Sequence, residues 1–340
     1  MSEDVVLTKL EKSQPFILIA AMFVGLLMGV ILPSISQISN PVVYYTLIGL
    51  MVGIALGTPF QKVADSFKNI RFFALAWGMN FIVIPFIGFV LALIFLNSTP
   101  LIFVGFILYV VNPCTDWFLV FTAMAKGDVP LGLALLPTNL IIQIIMIPVF
   151  LWAFAGTIVP FQISALVETV LVFIIIPFAL AIISNRIVMR TKGAEWKEKR
   201  MAQVPMIIQT VTLSIVVFFM FAGQTETIIN NAGPLAIVLV PVIIFFVLSY
   251  VIIQVVSRKL RLKYGECALL TCTSIARNSP IALAIAFGLF PNEPLIQVAI
   301  IIGVLIELPV LVYVVRRLNH GRLEYCKMVG EQADHSRKMF

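Results

Sequence analysis

Two short polar stretches interrupt an otherwise apolar sequence: Asn112-Pro113-Cys114-Thr115-Asp116, and Thr271-Cys272-Thr273-Ser274 followed by Arg277-Asn278-Ser279-Pro280. Each combines amide and hydroxyl side chains, a thiol, a charge and a proline. Proline removes a backbone donor and clashes with the preceding turn, so a helix running through either stretch should kink or unwind there. A new half-helix would start beyond each break, near Cys114 and near Ser279, with its N-terminal amides and positive dipole end at the break. An anion or an oxygen-rich solute could be held at such a place. Asn112, Thr115, Asn278 and Ser279 supply uncharged donors and acceptors at the same level. One proline kink carries little weight; two at matching positions carry much more.

The elements that must position these residues are membrane-spanning helices. The 340-residue chain is 61% hydrophobic and 11% charged, with a mean hydropathy of +1.08, which leaves too little polar surface for a soluble fold. A helix needs about 20 apolar residues to cross the hydrocarbon core. Ten such runs are read: 15–32, 43–59, 72–96, 101–124, 130–154, 163–184, 205–222, 234–256, 266–290 and 295–315. Every one of the 23 Lys and Arg residues except Arg277 falls in the tails or the even connectors, and the odd connectors carry none. By the positive-inside rule both termini lie in the cytoplasm, as tails 1–14 and 316–340, around a single domain over 15–315 in the plasma membrane. The first run follows an acidic start and ends at Leu32-Pro33 without a small-residue cleavage pattern, so it reads as a spanning helix. The tail after Arg316 is polar and is expected to be a solvated, partly disordered end.

The net charge of +7 is this orientation signal. No basic patch with aromatic interleaving is present, so nucleic acid is not an expected partner; the lipid bilayer and a small molecule or ion are. The sequence sets no oligomeric state. Of the four cysteines only Cys326 lies outside the spans, on the reducing side, so no disulfide framework is implied. Both His residues, His320 and His335, lie in the tail. Phosphate loop, metal-binding His pair and nucleophile triad are all missing, and catalysis is not indicated.

The ten runs divide into five and five, 15–154 and 163–315, at offsets near 160–165 residues. Because five is odd, the second half enters the membrane from the opposite side, an inverted repeat of the kind that builds many secondary transporters. The breaks fall in the fourth helix of each half, helices 4 and 9, the place where such proteins hold their substrates. Arg277 is the costliest residue in the chain, at about 2.5–3.5 kcal/mol for a mid-membrane cation on an insertion scale. Asp116 is its natural partner, either as a structural pair or as a coupling device that substrate or a proton disrupts. Glu307 in helix 10 is the other deep acid and a candidate proton carrier. Cys114 reads two ways, as a buried small residue or as a thiolate ligand for a soft ion.

From Cys114-Thr115-Asp116-Trp117 through Ala125-Lys126-Gly127-Asp128 the sequence resembles the arsenical-resistance efflux transporters and the related bile acid:sodium symporters. Ala276-Arg277-Asn278-Ser279-Pro280 with Leu283-Ala284-Ile285-Ala286 resembles the second signature of that superfamily. The resemblance implies a panel of helices 1, 2, 6 and 7, a core of helices 3–5 and 8–10, and broken helices crossing at the substrate site. It also implies Cys114 as a ligand for trivalent arsenic. Ala282 stands where the arsenite branch carries a glutamate, and Thr273 and Arg277 occupy the stretch where the sodium-coupled branch has its glutamate-rich site. The resulting expectation is an arsenite exporter working by proton antiport, with no resident cofactor and protons preferred to sodium. In it Cys114 touches arsenic, Asn112, Thr115, Asn278 and Ser279 hold its oxygens, and Asp116 and Arg277 couple protonation to movement. The alternative keeps the fold and carries a small organic anion on Arg277. A receptor built on the same fold is disfavoured by the short connectors, which attach no signalling domain.

Overall fold

The computed structural model describes residues 9–58, 69–115, 117–156, 162–193 and 203–330. Among these residues helix is the only regular structure apart from one isolated bridge. In chain order the elements are α1 (Lys9–Ile31), α2 (Ser36–Gly57), α3 (Ile70–Phe95), α4 (Pro100–Val110), α5 (Trp117–Met124), α6 (Val129–Phe154) and α7 (Ser164–Thr191). They continue with α8 (Val204–Gly223), the short α9 (Thr225–Asn230) and α10 (Ala232–Ile237), then α11 (Leu239–Lys259), α12 (Tyr264–Ile275), α13 (Ser279–Leu289) and α14 (Pro294–Val329). Seven helices among the described residues are long and apolar enough to cross a membrane. The other three runs read from the sequence correspond to α1, with its apolar stretch Phe16–Ile31, and to the pairs α4/α5 and α12/α13.

The starts of these helices follow from local chemistry. Prolines occupy the first turn of α4, α6, α13 and α14, where the missing N–H costs nothing. Asp128 caps α6 by accepting from the Leu131 amide at 3.0 Å, and Asn278 caps α13 by accepting from the Ile281 amide at 3.2 Å. Glu266, the acid expected to serve the dipole of its helix, accepts from the Lys263 amide at 3.1 Å as a reciprocal cap of α12. Large apolar side chains such as Trp152, Ile82 and Tyr45 point outward, at 74%, 70% and 72% exposure. A lipid-facing surface needs such an exterior.

The helices pack in two groups. In one, α2 and α8 make the most extensive contact among the described helices, with α1 on α8 and α7 on α2. In the other, α4 packs on α14, α3 on α4 and α11, α12 on α5 and α11, and α13 on α14. The groups meet chiefly where α13 lies against α2 and α7. Small residues permit the closest approaches: a Cβ on Gly105 of α4 would stand 2.5 Å from the Ile296 carbonyl oxygen of α14.

One boundary moves and one expectation is corrected. The connector 33–42 is mostly helical, since α2 begins at Ser36 and absorbs Pro41 in its second turn. The segment after Arg316 is ordered as far as Gly330, although many of its residues are exposed: α14 continues as helix to Val329 and stops at Gly330 in the left-handed conformation, φ 77°. Leu318, Tyr325 and Cys326 are buried along one face of that extension, a helical spacing hidden by its many charged neighbours. Residues 331–340 lie outside the described residues.

Candidate functional site

Both polar stretches do break their helices, and the breaks meet. Between α4 and α5, and between α12 and α13, the chain leaves helical geometry and forms an antiparallel bridge at Pro113 and Arg277. The Cys114 amide donates to the Ala276 carbonyl at 3.1 Å, and the Asn278 amide donates to the Asn112 carbonyl at 2.7 Å. Backbone groups left over at each break are thus satisfied by the other, among them the Ala276 carbonyl that Pro280 leaves without an amide.

Side chains tie the crossing further. Asn278 Nδ2 donates to Thr115 Oγ1 at 2.8 Å. Asn112 donates through Nδ2 to the Leu108 carbonyl and accepts at Oδ1 from Gln143 Nε2 at 2.8 Å. Cys114 is wholly buried at 0% exposure, and Ser279 is buried at 2%. Of the site residues read from the sequence, Asn112, Pro113, Cys114, Thr115, Arg277, Asn278, Ser279 and Pro280 therefore come together at one crossing. Asp116 lies outside the described residues.

Arg277 is buried, and carbonyl oxygens surround its guanidinium. Nη1 donates to Val110 O at 2.9 Å, Nη2 to Thr273 O at 3.4 Å and to Ser274 O, and Nε to Ile275 O at 3.4 Å. Val110 ends α4 and the other three residues end α12. The guanidinium therefore sits where the negative ends of both upstream half-helices converge, supplying donors to carbonyls left without an amide partner. Phe245 closes one side, its ring centroid 5.8 Å from Cζ.

Glu307 joins the crossing from α14. Its Oε1 accepts the backbone N–H of Arg277 at 2.9 Å, and its Oε2 accepts the Tyr109 hydroxyl at 2.8 Å. One carboxylate thus holds the second break and the last turn of α4 together. Glu168, by contrast, is exposed.

Sequence reasoning missed a layer of amides beside the crossing. Asn80 Nδ2 and Asn139 Nδ2 both donate to Thr273 Oγ1, at 3.2 and 3.1 Å. Asn80 sits in a π-helical segment of α3, Met79–Val83, a distortion often found at functional positions. Asn80 Oδ1, Asn139 Oδ1, Gln143 Oε1, Ser274 Oγ and Ser279 Oγ are buried with no hydrogen-bond partner among the described residues. The signal was present in the sequence: Asn139 and Gln143 are four residues apart on one face of an apolar helix. Among the described residues no group of three His, Cys, Asp or Glu side chains could hold a metal ion.

Chemically, the described residues of the crossing offer a thiol, several hydrogen-bond acceptors without donors among those residues, and a cation engaged by backbone carbonyls. An all-helical bundle with outward apolar side chains and two broken helices meeting in its interior is the build of a multi-pass membrane transporter. The chain belongs to the Sodium Bile acid symporter family, whose family model matches residues 44–231. It is 28% identical over 324 residues to the Arsenical-resistance protein Acr3 of Corynebacterium glutamicum, covering 89% of this chain and 87% of that protein. It is 24% identical over 326 residues to the Arsenical-resistance protein Acr3 of Alkaliphilus metalliredigens, across 89% of this chain and 90% of the relative. An uncharacterized transporter of Synechocystis matches at 24% identity over 321 residues, 86% of this chain and 84% of that one.

Proposed function

We propose that this protein exports arsenite from the cytoplasm by proton antiport. The observation that carries the reading is the pairing, at one buried crossing, of the Cys114 thiol with side-chain oxygens that lack donors among the described residues. Arsenous acid is neutral at pH 7, presents three O–H donors, and centres on a soft, thiophilic atom. A thiol ligand and acceptor oxygens match it on both counts. The names of two relatives point the same way. A small organic anion fits less well, because the one cation at the crossing already donates to four carbonyls.

In this reading Asn112, Thr115, Asn278 and Ser279 surround the cargo, with Asn80, Asn139 and Gln143 as a neighbouring acceptor layer. Glu307 carries the proton: a proton on either oxygen would replace one of the bonds it accepts from Tyr109 or Arg277, and so loosen α14 from the crossing. Asp116, next to the first break, is a second candidate for the coupling. The chain crosses the membrane ten times as a 5+5 inverted repeat with both termini cytoplasmic. Transport is a movement of the α3–α6 and α11–α14 core against a panel of α1, α2, α7 and α8.

The test is flux into inverted membrane vesicles offered arsenite, arsenate and a panel of organic anions, with and without an imposed proton gradient. Arsenite accumulation driven by the gradient and abolished by Cys114→Ser supports the reading. Indifference to arsenic, with gradient-driven movement of an organic anion, overturns it.

A further inference from the structure

The extension of α14 lies at the end of the bundle that carries the Lys- and Arg-rich connectors, against the ends of α11 and α12. It is fastened there by specific bonds. The Tyr325 hydroxyl donates to the Leu262 carbonyl at 3.0 Å, Asn319 Nδ2 donates to the Met124 carbonyl at 2.9 Å, and Arg322 stacks 5.2 Å over the Tyr264 ring. This docking shapes an open cavity of about 180 Å³. A buried water needs roughly 10–15 Å³ by the same kind of measure, so the space takes a multi-atom polar group together with its hydration.

The donors of the cavity are of two kinds. Those of Tyr264, Tyr325 and Gln254 are spent on the Ala125 and Leu262 carbonyls and on Thr271. Tyr250 and Arg258 on α11, with Arg317 and His320 on α14, also line it. Their side chains make no hydrogen bond or ion pair with any described residue. Glu324 is the one acid among the lining residues. Two arginines from different helices, a hydroxyl and an imidazole thus converge on one space with most of their donors unused. Guanidinium pairs of this sort recognise phosphate oxygens, often with two parallel bonds each.

The rim is apolar. Met328, which lines the cavity, is 50% exposed, and Tyr313, one turn before Arg317 on α14, is 63% exposed. A tyrosine below and a cationic pocket above is the arrangement of a membrane–water interface.

We propose that this cavity binds a phosphate group, Arg258 and Arg317 clamping its oxygens and Tyr250 and His320 completing the cradle. Its place at the Lys- and Arg-rich end of the bundle, one turn from the exposed Tyr313, makes the headgroup of an anionic phospholipid its preferred source, drawn from the leaflet on the positively charged side. Occupancy bridges α11 to α14 and so stabilises the helix that carries Glu307. The site stands apart from the crossing and does not depend on the identity of the cargo.

The experiment uses the full-length protein in nanodiscs of phosphatidylcholine, with and without admixed phosphatidylglycerol, and separately with inorganic phosphate added to the phosphatidylcholine discs. Thermal unfolding and lipid retention by native mass spectrometry are read for the wild type, R258Q, R317Q, the double variant and R258K/R317K. Phosphatidylglycerol should raise the unfolding temperature and be retained, retention falling about fivefold for each arginine neutralised. The double variant should keep the wild-type unfolding temperature in phosphatidylcholine alone, which separates loss of the site from loss of the fold. A rise with inorganic phosphate alone, again lost in the double variant, supports the site with soluble phosphate as its ligand. Retention of phosphatidylglycerol that is equal in the wild type and the double variant overturns the proposal.

Discussion

Replacing Arg277 separates a structural cation from a cargo-binding one. Its guanidinium donates to Val110 O at 2.9 Å, to Ser274 O, and to Thr273 O and Ile275 O at 3.4 Å. A hydrogen bond with a charged partner contributes about 1.5–3 kcal/mol net. Counting the two closer bonds fully and the two long ones as minor gives roughly 3–6 kcal/mol for Arg277→Gln. A lysine keeps the charge but not the planar fork, so Arg277→Lys should lose about half as much. Unfolding of purified protein in detergent, followed by helical circular dichroism across a denaturant series, measures both variants against the wild type. Transport is assayed on the same preparations at a temperature where each is folded. A glutamine variant that matches the wild type in stability but moves no cargo would refute the argument, because the guanidinium would then be serving the substrate.

Three further substitutions probe the crossing and its supports. Tyr109→Phe removes a 2.8 Å hydrogen bond to Glu307 and should cost about 1–3 kcal/mol in the same unfolding assay, while shifting the pH profile of arsenite flux in vesicles. Asn278→Ala strips the cap of α13 and the bond to Thr115; a loss of about 1–2 kcal/mol is expected for the cap alone, together with weakened arsenite affinity. Gly105→Val places side-chain atoms where a Cβ would already stand 2.5 Å from the Ile296 carbonyl. It should destabilise by about 1–3 kcal/mol or more, whereas Gly321→Val, with nothing within 4 Å of its added Cβ, should cost less than that.

The parts of this molecule legible in its sequence were those written in composition and in proline. Long apolar runs located the helices, and Pro113 and Pro280 located the breaks, because a missing amide leaves no choice of geometry in an apolar interior. What those breaks do to each other was not legible. The bonds from Cys114 to Ala276 and from Asn278 to Asn112 run between backbone atoms, which carry no residue signature. The carbonyls around Arg277 are invisible for the same reason, and a search among side chains alone offers only acids such as Asp116. The extension of α14 was obscured differently: Leu318, Tyr325 and Cys326 keep a helical spacing, but the charges between them dominate any average over the window.

The reciprocal bonding of the two breaks also bears on how the chain is made. Thr115 and Asn278 are separated by 163 residues, and in their buried surroundings the Cys114 and Asn278 amides are satisfied only across the crossing. At about 5–20 residues per second, the first break waits roughly eight to thirty seconds after its synthesis for its partner. Until then α4 and α5 have to be sheltered by water, by the insertion machinery or by neighbouring helices. The first half of the chain is therefore a nascent segment whose completion depends on the last third of the message.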